Sequence, residues 1–73
     1  MASLDQVKKA GIYKLVRISA DRALSSRMRD LGLHPGTTLE FVKAAPLGDP
    51  IEIKVNNNML TIRKSEAKFL EVE

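Results

Sequence analysis

The apolar positions of this chain fall in short runs that mostly alternate with polar ones. The plainest run is 51–55, where Ile51, Ile53 and Val55 share one side and Glu52 and Lys54 the other. Alternation of this kind predicts a half-buried strand. The same two-residue spacing puts Leu39 and Phe41 inward in a strand over 38–44, Leu60 and Ile62 inward over 59–63, and Leu70 and Val72 inward over 69–72. A first strand over 12–18 is marked by Ile12, Tyr13, Val16 and Ile18, residues that suit a pleated surface. Both of its alternating sets hold apolar residues, and the reading adopted places Val16 and Ile18 inward.

Helical spacing is confined to 21–31, where Leu24, Met28 and Leu31 form an i, i+4, i+7 stripe. Asp21 is placed to cap the N-terminus. Gly32 stands where a left-handed residue ends a helix, and Leu33 can fold back onto Met28. Arg22, Ser26 and Arg29 lie opposite the stripe, whereas Arg27 lies nearer it and is expected to pack its stem there. Two single turns flank this framework. Ser3-Leu4-Asp5-Gln6 reads as a capping box that turns Leu4 and Val7 to one face and ends at Gly11, and residues 64–68 make a second turn.

The connections carry turn chemistry. His34-Pro35-Gly36-Thr37 has proline and glycine where a type II turn needs them, and Pro46 and Gly48 suit a type I turn in the hairpin loop Ala45–Pro50. Asn56-Asn57-Asn58 predicts a tight turn, because Asn tolerates the left-handed region. The expected fold is mainly β: a small barrel of about five strands, one inserted helix and short helical turns, formed by residues 1–73 as one domain.

Composition narrows the chemistry. The chain has 73 residues, and at that length the core is thin and leaves little room for a deep substrate pocket. It has no cysteine, which removes disulfides, thiol nucleophiles and cysteine-held zinc or iron–sulfur groups. No run approaches the ~20 apolar residues of a membrane span, and no signal peptide is evident, so an intracellular, cytoplasmic location is expected. Net charge is +3: residues 1–35 hold seven Lys or Arg against three Asp, and residues 36–73 hold five against six acids. That bias gives mild support to an acidic partner and falls short of a nucleic-acid signature. No phosphate-binding glycine loop or nucleophile elbow is present, and the carboxylates sit at scattered positions; no enzyme activity and no cofactor are expected. His34 is the one histidine. One imidazole with no second nitrogen or sulfur ligand is not a metal site, and nothing places Asp49 or Glu52 beside it.

Three segments are similar to one family. Arg27-Met28-Arg29-Asp30-Leu31-Gly32-Leu33-His34-Pro35-Gly36 resembles the helix-and-turn signature of the FeoA family, ferrous iron transport protein A. Ala45-Pro46-Leu47-Gly48-Asp49-Pro50-Ile51 is similar to that family's loop, and Leu60-Thr61-Ile62-Arg63 with Glu66-Ala67 resembles its closing hairpin. The resemblance runs from about Leu4 to Val72. It departs at Asn57, where the family usually has glycine nearby, and at Ala10 and Tyr13, where early glycines are missing. It implies an SH3-like barrel and a cytoplasmic accessory or regulatory role in ferrous iron uptake, by contact with the membrane transporter, ferrous iron transport protein B, which has a GTP-binding domain.

Two surfaces are candidates for that contact. One is the loop Pro46, Leu47, Gly48, Asp49 and Pro50, because hairpin geometry needs no leucine at its tip and loops carry binding residues. The other is the basic face of Arg22 and Arg29, for an acidic surface. Weak self-association through the apolar loop is a further expectation. The alternative is a nucleic-acid-binding or DNA-associated regulatory module, like the barrel domain of iron-dependent repressors. It is disfavoured by the 4% aromatic content and the slightly acidic second half.

Overall fold

The computed structural model describes residues 2–73. The strands are β1 (Ala2–Ser3), β2 (Gly11–Ile18), β3 (Thr38–Ala44), β4 (Ile51–Val55), β5 (Asn58–Ile62) and β6 (Leu70–Val72). Helix α1 (Arg22–Asp30) joins β2 to β3, α2 (Lys64–Ala67) joins β5 to β6, and a 3₁₀ turn spans Leu4–Gln6. The strands form one antiparallel sheet in the order β1-β6-β2-β3-β4-β5. The fold is a small SH3-like β fold, with β1 and β5 at the free edges of an open barrel.

β1 is a sixth strand beyond the five expected. Two residues carry no period. β1 exists because β6 offers it a ladder, Ala2 opposite Val72 and Ser3 opposite Glu71. The Ser3 hydroxyl makes no capping bond, contrary to the capping-box reading; the backbone closes the turn itself, Val7 N–H donating to the Leu4 carbonyl at 3.2 Å. Leu4 is buried and Val7 packs beside it as expected. Gly11 opens β2 rather than ending the turn.

β2 corrects the inward assignment. Leu15 is fully buried, Val16 only half-buried, and Tyr13 and Ile18 pack against the core. The cause is a bulge. Leu15 pairs with Val72 and Arg17 with Glu71, so Val16 is the extra residue and the side-chain phase changes across it. Tyr13 and Leu15 point inward before the bulge, Ile18 after it. This is why both alternating sets are apolar. The bend also lets β2 pair with β3 through Gly11–Lys14 and with β6 through Leu15–Ile18. A second bulge, at Val42 in β3, separates the pairs Phe41–Ile53 and Lys43–Glu52.

Helix α1 begins as its sequence predicts, with Leu24 N–H donating to Asp21 Oδ1 at 2.8 Å. It ends with the Leu33 N–H on the Met28 carbonyl and the Gly32 N–H on the Arg29 carbonyl, both 2.9 Å, with Gly32 at φ +92°. That pair of bonds is the Schellman ending. Met28 and Leu33 are buried together, but Leu31 is exposed. Leu31 is the cap residue, where the chain leaves the helical path, so Leu33 takes the inward place expected of it. The expected pattern holds elsewhere: Leu39, Phe41, Ile51, Ile53, Val55, Ile62, Leu70 and Val72 are core, with Leu60 half-buried against it. Asn56 and Asn57 both take positive φ, 52° and 68°, so the turn is two residues long and Asn58 already pairs with Val55 in β5.

Candidate functional site

The loop between β3 and β4 is a small, internally braced projection. The Gly48 N–H donates to the Ala45 carbonyl at 2.7 Å, closing the four-residue turn that Pro46 presets, and the Ala45 N–H donates to the Pro50 carbonyl at 2.9 Å. Gly48 takes φ +85°. Asp49 faces back into the molecule, its Oδ1 accepting from the Lys64 N–H at 2.9 Å. Lys64 starts α2, so Asp49 satisfies one of the donors a helix start leaves unpaired. Leu47 makes no such use of the fold: it is 93% exposed at the loop tip.

The loop borders a groove of about 380 Å³. Val7, Phe41, Val42 and Ile51 contribute apolar surface to it, and Lys8, Lys43, Lys64 and Gly48 also line it. Val42 reaches it because the β3 bulge frees that residue from strict pairing. Lys43 has a loose ion pair with Glu52 at 3.7 Å. Asp5 is the acid among the lining residues, and its Oδ1 is buried without a hydrogen-bond partner. Three lysines therefore line a partly apolar groove beside a carboxylate with one buried, unpartnered oxygen. Sequence reasoning missed this groove, because its lysines come from three separate segments.

The basic helix candidates are elsewhere. Arg22 and Arg29 are exposed. They stand seven positions apart and so share one flank of α1, at about 100° per residue. Arg27 projects from the opposite flank and pairs with Glu66 of α2, Nη1 to Oε2 2.6 Å. The α1 flank that pairs with α2 is thus the one without Arg22 and Arg29, and among the described residues no hydrogen bond or ion pair joins those two arginines to the 45–50 loop. His34 is exposed at the start of its turn, where its backbone N–H donates to Thr37 Oγ1 at 3.1 Å. Among the described residues no group of three or more His, Asp or Glu gathers in a metal-holding cluster.

Among the described residues the large apolar side chains left exposed are Ile12, Leu31, Leu47 and Met59, none of them aromatic. Phe41 is buried, Phe69 half-buried, and Tyr13 half-buried with its hydroxyl donating to the Lys9 carbonyl at 2.7 Å. A surface that binds single strands by stacking needs exposed aromatic faces.

Comparison with known proteins agrees with this arrangement. The chain matches the FeoA domain over residues 2–73. The FeoA-like protein of Clostridium acetobutylicum is 32% identical, with a TM-score of 0.89 over 99% of this chain and 84% of that one. The FeoA protein of Chlorobium tepidum is 37% identical, with a TM-score of 0.87 over 97% of this chain and 68% of that one. A curated relative from Porphyromonas gingivalis, the Fe(2+) transport protein A/Fe(2+) transporter FeoB fusion protein, is 29% identical over 59 residues, 81% of this chain and 7% of that protein's length. The manganese regulator SloR shares the fold alone, with a TM-score of 0.90 at 21% identity over 99% of this chain and 34% of that one. The match over residues 2–73 shows that this chain belongs to the FeoA family, which is associated with ferrous iron transport.

Proposed function

We propose that this chain is a non-enzymatic accessory domain that grips a ferrous iron transporter by protein–protein contact, with the 45–50 loop as its leading contact. Its site of action would be the cytoplasmic side of the membrane, held there by the transporter. In the fusion protein from Porphyromonas gingivalis, as its name states, an Fe(2+) transport protein A part and a transporter share one polypeptide. That continuity supports a partnership between the separate chains. No helix among the described residues is long and apolar enough to cross a membrane.

The observation that carries the reading is Leu47. The loop hydrogen-bonds to itself and to α2, yet holds a leucine almost entirely in water. Burying that side chain in a partner's apolar pocket contributes about 1.5–3 kcal/mol. Pro46 and Pro50 frame it, Gly48 admits the turn, and Asp49 anchors the base. The neighbouring lysines Lys8, Lys43 and Lys64 suit an acidic rim around such a pocket. Arg22 and Arg29 would add a second, long-range attraction that salt screens within ~8 Å at physiological ionic strength.

The test is capture of the transporter from detergent-solubilised membranes by the wild-type chain and by Leu47→Ser. The variant should fold as before, because the side chain touches so little of its own molecule. It should bind at least about tenfold more weakly, as loss of that burial implies. Equal capture by the two chains removes the loop from the contact.

A further inference from the structure

One outward row of the sheet has a pattern that matches itself when turned around. Ile12 of β2 pairs across the ladder with Glu40 of β3, Glu40 with Lys54 of β4, and Lys54 with Met59 of β5. All four are exposed, Ile12 at 67% and Met59 at 53%. With strands about 4.8 Å apart the row is roughly 14 Å long. Its order is apolar, acid, base, apolar. Glu40 and Lys54 are cross-strand neighbours, yet neither is in an ion pair among the described residues, where the pairs are Arg17–Glu71, Arg27–Glu66 and Lys43–Glu52. Beside the row lies a shallow depression of about 240 Å³, lined by Ile12, Glu40, Lys54 and Asn56 among others.

We infer that this row is a self-complementary docking surface for a second copy of the chain, arranged about a two-fold axis between Glu40 and Lys54. In a two-fold interface, if residue i meets residue j, then j meets i. The reversed row sets Glu40 against the other copy's Lys54, Lys54 against its Glu40, and each Ile12 against a Met59. A flexible thioether is suited to an irregular recess, and Met59 of one copy reaches Ile12 and the depression beside it on the other. The row covers less than the about 800 Å² per partner of a stable complex, so the dimer is weak and forms as concentration rises. The occupant is a second copy because the row, turned around, presents the order complementary to itself. The inference is independent of the Leu47 contact.

Charge exchange tests it. Sedimentation equilibrium or NMR diffusion is measured over increasing concentration for the wild type, for Glu40→Lys, for Lys54→Glu, and for the equimolar mixture of the two variants, with circular dichroism confirming the fold. The wild type should dimerise, and more weakly as salt is added. Each variant alone faces like charges at both central positions and should associate at least about tenfold more weakly. In the mixture, two lysines of one chain meet two glutamates of the other, and association should return to within about threefold of wild type. If a single variant does not fold, the chain carrying both exchanges takes its place: it should pair with itself and not with wild type. A wild type monomeric to about 1 mM, single variants that associate like wild type, or a mixture without recovery would overturn the inference.

Discussion

At the scale of the residue, the outer contacts around β2 and β6 show how one side chain comes to sense pH. Arg17 and Glu71 are ladder partners, and Glu71 Oε2 accepts from Arg17 Nε at 2.6 Å and from the Ser19 hydroxyl at 2.8 Å. The Arg17 contact first, and the Ser19 bond with it, hold the Glu71 carboxyl below the usual carboxylate range. A carboxylate depressed in the folded state stabilises the fold fully above its ordinary pKa of about 4.3, and the contribution is lost as pH falls through the lower folded value. Glu71→Gln should therefore melt below wild type at neutral pH, and the gap should close in acid. Thermal melts from about pH 7 to about pH 2 read this. The gap should be modest, because the pair is on the surface and screened. A gap that does not change with pH would mean that the contact, not the charge, is what the substitution removes.

At the scale of the element, α2 ties separate parts of the chain together. Four residues do not make a stable helix alone. Glu66 Oε1 accepts from the Arg63 N–H at 3.4 Å and its Oε2 pairs with Arg27 of α1, while Asp49 of the loop accepts from the Lys64 N–H. Ala67 is buried beneath these contacts. Asp49 thus braces the start of α2, besides standing among the candidate contact residues. Asp49→Ala should cost about 1 kcal/mol, the usual loss for a helix-start acceptor, and lower the melting temperature by about 4–8 °C. Asp49→Asn, which keeps an oxygen acceptor, should cost less. If Asp49→Ala leaves the melting temperature alone and still reduces transporter capture, the residue is itself a contact and not a brace. The helix and loop chemistry here was legible in the sequence, since the Asp21 cap, the Gly32 ending and the Pro46–Gly48 turn all rest on residues close in the chain. The Asp49–Lys64 bond spans fifteen positions and has no local signal.

At the scale of the whole molecule, the bulge at Val16 decides how a thin core closes. It lets one strand serve both parts of the sheet, with Leu15 at the centre. Leu15→Ala should cost about 2–5 kcal/mol, a large share of the roughly 4–11 kcal/mol that 73 residues sustain. Val16→Ala should cost clearly less, and denaturant melts of both would compare them. Equal losses would mean that the phase change is not where the pairing puts it. The sequence by itself determined the kinds of element and nearly all of their extents, because alternation, helical spacing and turn residues act over a few positions. It also showed the family resemblance, and it marked Leu47, whose apolar side chain no turn requires. Only the tertiary structure decided which face of β2 is inward, that β1 adds to β6, that three distant lysines border one groove, and that Ile12, Glu40, Lys54 and Met59 stand in one row. Each of those depends on strand register or on packing between residues far apart in the chain, where no local pattern reaches.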